Sequence, residues 1–182
     1  MTIDRETLKL LSRAGCVGIK FGVETFTQDV SKHVSKPFIN VELVRKFVSC
    51  CKELGIWTHA TYQVGLPGDT VKGMLTTLRF ALQLDTDSIQ VSIATPLPGT
   101  PFYEEARERG WLITEDYTLY DGACHSVLNY PWLSKEDIEK IHKLFLDSWR
   151  NHLLKRYLRE PKRILREHKR ILRKLEVLFM GC

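Results

Sequence analysis

The sequence predicts an α/β fold made of parallel strand, loop and helix units, and three observations predict it. Runs of strand character occur three times: Val17, Ile19 and Phe21 alternate, Ile56 to Val64 runs continuously, and Ile89, Val91 and Ile93 alternate again. Each run ends in a short loop, namely Gly22-Val23-Glu24-Thr25, Gly65-Leu66-Pro67-Gly68-Asp69 and Thr95-Pro96-Leu97-Pro98-Gly99-Thr100. Each loop leads into a helical pattern. Parallel strands joined by right-handed crossovers carry their strand-to-helix loops at one end of the sheet, where such folds bind ligands. Function is therefore to be sought in these three loops.

The elements follow in order. Asp4 is a good N-cap for a first helix that runs to Ala14 and stops at Gly15, with Leu8 and Leu11 facing the core. A short piece over 27–34 leads to Asn40, which caps an amphipathic helix carrying Val44, Phe47, Val48, Cys51 and Leu54 and ending at Gly55. The next helix starts near Asp69 or Thr70, turns Val71, Met74, Leu75, Leu78 and Leu82 inward, and stops before Asp85. Thr100 and Pro101 open another that closes at Gly110. From Trp111 to Pro131, aromatics and turn formers predict an irregular, partly buried segment. Ser134 then caps a long helix with an apolar stripe of Ile138, Ile141, Leu144, Phe145 and Trp149. Past Pro161, the run Lys-Arg-Ile-Leu-Arg occurs at 162–166 and again at 169–173, so that Leu158, Leu165, Leu172 and Phe179 recur every seven residues.

Three parallel strands leave two bare edges, and closing an eight-stranded barrel needs far more chain than 182 residues. Either the edges pair with another copy, or the chain is the later part of a larger barrel. The second is favoured: a partial (β/α) TIM-like barrel of three parallel βα units over 1–112, with an irregular segment and a helical, basic C-terminal extension over 113–182.

Composition narrows the class. With 43% hydrophobic and 27% charged residues the chain is ordinary globular material. No apolar stretch reaches the roughly 20 residues of a membrane span, and the first residues lack a secretory pattern, so a cytoplasmic protein is expected. Cys16, Cys50, Cys51, Cys124 and Cys182 have no CxxC spacing, which predicts reduced thiols and no self-contained metal site. The net charge of +5 is concentrated at residues 155–174, where ten Lys or Arg face only Glu160 and Glu167. Such a tail suits nucleic acid, an anionic membrane surface, or plain solvation of a helix.

Glu24 places a carboxylate at a strand exit beside Gly22. It fits a ribose diol or a simple cap of the following turn. The Gly65–Asp69 turn offers backbone amides and carbonyls that suit an adenine edge, or it merely connects; it lacks the Lys-Ser/Thr ending of a P-loop. Thr95 to Thr100 either fixes a path over a barrel mouth or ends a strand.

Together, GVET, Lys36, GLPGD and ATPLPGTPFYEEA resemble the later half of a radical S-adenosylmethionine (radical SAM) domain, particularly the branch often fused to a cobalamin-binding domain. The resemblance covers about residues 5–112 and implies strands four to six of that barrel. It implies that Glu24 contacts ribose and Lys36 the methionyl carboxylate. It places Val64, Gly65, Leu66 and Pro67 around the adenine, with Asp69 where Glu is usual, and has Ala94, Thr95 and Pro96 complete the nucleoside wall. The complete family also holds a 4Fe-4S cluster on a CxxxCxxC loop, which this sequence lacks. A missing N-terminal half-barrel or companion chain is thus implied as partner, with cobalamin as a possible further cofactor and an unknown small-molecule substrate. Tyr117, Tyr120, Cys124 and His125 are candidates for the substrate wall, or incidental. The rivals are a non-catalytic half-barrel assembly module, or a protein whose basic tail binds nucleic acid or anionic lipid.

Overall fold

The computed structural model describes residues 4–27, 30 and 40–160. Lys36, most of the 27–34 piece, Cys182 and the basic heptad run beyond Pro161 lie outside the described residues. The elements are α1 (Arg5–Arg13), β1 (Gly18–Glu24), α2 (Val41–Glu53), β2 (Trp57–Val64), α3 (Val71–Leu84), β3 (Ser88–Ile93), α4 (Pro101–Glu108) and α5 (Lys135–Arg159), with a 3-10 turn at Tyr117–Leu119. The helix starts follow their caps. Asp4, Asn40, Thr70, Thr100 and Ser134 each accept from a backbone N–H three residues on.

The sheet is parallel throughout, in the order β1-β2-β3. Ile19, Phe21 and Val23 share one face with Thr58, Ala60, Tyr62 and Val64 and with Ile89, Val91 and Ile93. Helices cover that face: Phe47 and Val48 of α2, Met74 and Leu78 of α3, and Ile138, Ile141 and Phe145 of α5 join a single core cluster with it. The C-terminal extension therefore shares the core of the βα units, with Phe145 against Tyr62 at 5.4 Å between ring centroids.

The opposite face carries Lys20, Trp57, His59, Thr61, Gln63, Ser88, Gln90 and Ser92, none of which is buried. This corrects the reading of β2 as a continuous apolar run: its residues alternate between fully buried and half-buried along its whole length. Two inward assignments also fail. Val71, 38% exposed, occupies the first turn of α3 on the solvent side, and Leu144, 42% exposed, lies well off the Ile138–Ile141–Phe145–Trp149 stripe at about 100° per residue.

The two sheet edges differ. On the outer edge of β3, His142 of α5 bonds the Val91 carbonyl at 3.1 Å, and the Ile93 N–H donates to the Gly122 carbonyl at 2.7 Å. No described strand pairs with the outer edge of β1. At the other end of the sheet the buried Arg156 of α5 donates to the Asp85 carboxylate and the Thr86 carbonyl, fixing the turn that precedes β3. Among the described residues, no helix is long and apolar enough to cross a membrane.

Candidate functional site

Parallel order puts the exits of β1, β2 and β3 side by side. Glu24 pairs with Tyr62, Val64 pairs with Ile93, and the Ala94 N–H donates to the Val64 carbonyl at 2.9 Å. The three loops singled out in the sequence thus leave the same end of one sheet.

The β1 exit is strained. The register with β2 shifts between Gly22 and Glu24, and the Thr25 N–H donates to the Val23 carbonyl at 2.9 Å, closing a three-residue γ-turn around Glu24. Glu24 takes φ of 61°, a left-handed value costly for a residue with a Cβ. Strain of this kind survives only where the surroundings impose it, and it clusters at binding sites. No pattern of residue types announced it.

The β2 exit is packed from outside. Gly65, at φ of 77°, approaches α5 so closely that a Cβ there would lie 2.9 Å from Ile138 Cγ2. The Tyr130 hydroxyl donates to the Gly65 carbonyl at 2.9 Å, and Trp132 Nε1 donates to the Asp69 carbonyl at 3.1 Å. Within the turn, the Asp69 N–H bonds the Leu66 carbonyl and the Leu66 N–H bonds Asp69 Oδ2. The expectation of open backbone groups is corrected here: the Gly65 carbonyl and both Leu66 groups are already engaged. Val64, Gly65, Leu66, Pro67, Ala94 and Pro96 are buried, whereas Glu24 and Thr95 are half-buried. Asp69 precedes the helix rather than starting it, since Thr70 is the cap. Asp69 is 1% exposed, and burial pushes its carboxyl up to about 7 against the opposing pull of the Leu66, Gly65 and Thr70 N–H dipoles.

The β3 exit is met by the irregular segment, for Gly122 lies against Ile93 and Thr95. Asp121 accepts from the Ala123 and Cys124 N–H groups, which sets that turn. Of the suggested wall residues, Tyr117, Cys124 and His125 are exposed, and the Tyr120 hydroxyl is bonded to the Thr114 carbonyl.

Sequence reasoning missed the polar sheet face. There Lys20 Nζ donates to Gln90 Oε1 at 3.0 Å, Gln90 Nε2 donates to Ser92 Oγ at 3.2 Å, and His59 Nδ1 lies 2.6 Å from Ser88 Oγ. Burial, and then the Lys20 charge, holds the His59 imidazole below its ordinary value. A cleft of about 460 Å³ lies elsewhere, between α1 and α2, and includes none of the loop residues.

No family model matches the chain. An uncharacterized methyltransferase of Pyrococcus horikoshii is 26% identical over 140 residues, which are 77% of this chain and 30% of that protein. The anaerobic magnesium-protoporphyrin IX monomethyl ester cyclase of Cereibacter sphaeroides is 32% identical over 121 residues, 65% of this chain and 19% of the cyclase. Among solved structures, the radical S-adenosylmethionine methyltransferase TsrM of Kitasatospora setae, with cobalamin and a 4Fe-4S cluster bound, aligns with a TM-score of 0.53. Its identity is 25% over 58% of this chain and 20% of TsrM. In sequence and fold the chain is similar to radical SAM enzymes. A further radical SAM enzyme, coproporphyrinogen III oxidase of Escherichia coli, shares the fold with a TM-score of 0.59 and 22% identity over 81% of this chain and 30% of the oxidase. This chain thus spans between 19% and 30% of the length of these four proteins.

The described residues do not fit an iron–sulfur cluster. Among them no group of three or more His, Cys, Asp or Glu side chains is placed to hold a metal. Cys16, Cys50, Cys51 and Cys124 are unpaired thiols, and burial, with Cys50 and Cys16 nearby, pushes the Cys51 thiol up to about 12. A cluster ligand must be a thiolate.

Proposed function

We propose that this chain is the C-terminal portion of a radical SAM enzyme. Residues 1–112 form the last three βα units of its barrel, and residues 113–182 form the irregular segment and helical extension. Glu24 accepts from the ribose diol; Val64, Gly65, Leu66 and Pro67 flank the adenine; Ala94, Thr95 and Pro96 complete the nucleoside wall; and Lys36 meets the methionyl carboxylate. When bound, S-adenosylmethionine supplies an activated methyl or adenosyl group for transfer or rearrangement chemistry. The role of this chain is to hold the nucleoside, shield it from water and present part of the substrate wall, for which the polar face around Lys20, His59 and Gln90 is suited. The cluster and any cobalamin belong to chain beyond the described residues or to a companion half-barrel. That half would cover the polar face and pair with the open edge of β1.

The observation that carries this reading is Glu24, held in a strained turn at the strand exit that neighbours both other loops. Titration of the 15N-labelled chain with S-adenosylhomocysteine tests it. Amide shifts at Glu24, Leu66 and Thr95 together are expected, and they should weaken in Glu24→Gln. No shift, shifts confined to the α1–α2 cleft, or unchanged binding by Glu24→Gln would overturn it. Among the described residues no strand pairs with the outer edge of β1 and the polar face is not buried, which also supports a second reading, a non-catalytic half-barrel that docks on a companion. That reading expects complex formation indifferent to the nucleoside.

A further inference from the structure

The segment after Glu24 lies on one stripe of α3. Gly73, Thr77 and Phe80 occupy successive turns of that helix, and each receives one part of residues 25–27. A Cβ on Gly73 would stand 3.0 Å from Thr27 Oγ1, a tight approach, so the bare glycine leaves room for the Thr27 hydroxyl against the helix. Thr77 Oγ1 accepts the Phe26 N–H at 3.0 Å and lies 3.5 Å from Thr25 Oγ1. The Phe26 ring stacks on Phe80 at 4.4 Å between centroids and 7° between planes. Thr25 Oγ1 in turn accepts the Thr27 N–H at 3.2 Å, so the three residues are tied to one another as well as to the helix.

Thr76 shows what an ordinary helical threonine does here: it is partly exposed, and its hydroxyl donates only to the Lys72 carbonyl of its own helix. Thr77 makes the same kind of bond to the Gly73 carbonyl, but it is 1% exposed and takes a second, long-range bond. That bond reaches the residue two places beyond the strained Glu24. Beside the turn bond from Thr25 to Val23 and the pairing of Glu24 with Tyr62, this stripe restrains the residues that follow the left-handed glutamate.

We propose that Gly73 and Thr77 are positioning residues for the Glu24 carboxylate, clamping the loop after β1 onto the helix that issues from the loop after β2, so that the two loops act as one unit. The geometric part stands alone; the consequence for ligand rests on the nucleoside-binding reading above. The helix that carries the clamp begins directly after the Gly65–Asp69 turn. Order in either loop therefore favours order in the other, and a ligand touching both meets a site already assembled.

The test compares the full chain with Thr77→Val, Thr77→Ser and Gly73→Ala. Valine keeps the shape of Thr77 and removes the acceptor for the Phe26 N–H; serine restores it. In Thr77→Val, Phe26 amide exchange is expected to quicken by about tenfold and the Glu24 Cα and Cβ shifts to move off their left-handed values, with both restored in Thr77→Ser. S-adenosylhomocysteine affinity should fall about five- to tenfold in Thr77→Val and recover in Thr77→Ser. A merely structural threonine would lower stability in Thr77→Val without moving Glu24. Unchanged Phe26 exchange and Glu24 shifts in a folded Thr77→Val would overturn the clamp. If Thr77→Val does not fold, Gly73→Ala decides: its methyl should displace Thr27 and move Glu24, and a Glu24 left in place overturns the clamp. If the parent chain does not bind the nucleoside, the binding reading fails while the exchange and shift data still decide the clamp.

Discussion

Asp69→Asn gives the most informative perturbation of the candidate site. Asp69 is 1% exposed, its Oδ2 accepts the Leu66 N–H at 3.3 Å, and its Oδ1 has no hydrogen-bond partner. Burial raises the carboxyl from its ordinary 3.8 to about 7. The folded chain therefore binds this proton more tightly than the unfolded chain does. Between about pH 4 and 7 the folded state carries the extra proton, so stability falls as pH rises through that window and levels off above it. At about 1.4 kcal/mol for each tenfold difference in proton affinity, the whole effect is of the order of 4 kcal/mol. Asp85 works in a lower window. Burial tends to raise its carboxyl, but hydrogen bonds from His152 and Arg156, with Lys52 nearby, bring it down to about 2, so its contribution is lost only as pH falls through the range from about 4 to 2. His59 opposes Asp69 mildly: its lowered pKa adds stability as pH rises towards 6.5. Both groups are common to parent and variant, so the difference between the two isolates Asp69.

Urea unfolding at several pH values from 5 to 8, followed by tryptophan fluorescence, makes the measurement directly, because Trp132 donates to the Asp69 carbonyl. The parent chain should lose stability across this range. Asp69→Asn should be nearly flat, because an amide does not titrate in this range and its oxygen can still accept from Leu66. At pH 8 the variant should be the more stable by a few kcal/mol, up to about 4. Parallel curves for the two proteins would refute the argument, since they would mean that Asp69 titrates as an ordinary carboxylate.

Other outcomes follow from the same packing. Gly65→Ala should cost about 2–4 kcal/mol in thermal or urea unfolding, because φ of 77° strains any Cβ and Ile138 Cγ2 stands 2.9 Å from it. Tyr130→Phe removes a buried hydroxyl from the Gly65 carbonyl and should cost about 1 kcal/mol, with faster amide exchange around Leu66. A thiol reagent at pH 8 should label exposed Cys124 first and reach Cys51 only on unfolding, since a thiol pushed up to about 12 supplies almost no thiolate; early labelling of Cys51 would contradict its burial.

Much of the fold was legible because it is written in local chemistry. The three caps read from the sequence, Asp4, Asn40 and Ser134, each bond the N–H three residues on, and Pro101 with Gly110 brackets α4. The parts that stayed hidden are those in which the decisive contact is distant in sequence. The stripe of α3 that receives residues 25–27 is Gly73, Thr77 and Phe80; two of these count for nothing in an apolar pattern, and only Thr25, Phe26 and Thr27, some fifty residues earlier, give them meaning. His142 stands in no motif of the sequence, yet it bonds the Val91 carbonyl on the β3 edge, 51 residues away. The left-handed Glu24 is likewise invisible, because nothing in the spelling GVET asks for a positive φ.

The alternation of polar and apolar residues along the strands also distinguishes between sheet architectures. Strands of a parallel sheet sandwiched between two helical layers are apolar on both faces and read as unbroken hydrophobic runs. Here β1 sets Lys20 and Gly22 between Ile19, Phe21 and Val23, and β3 sets Ser88, Gln90 and Ser92 beside Ile89, Val91 and Ile93. Even β2, which looked continuous, places His59, Thr61 and Gln63 on that same face. An apolar helix laid over these groups would strand a lysine, an imidazole, two amides and three hydroxyls away from water, at a cost of a few kcal/mol for each one left unpaired. The composition of this face therefore argues against a doubly wound sheet with a second helical layer. It favours a wall that closes around a wet, polar interior, where Lys20, His59 and Gln90 can meet a polar ligand.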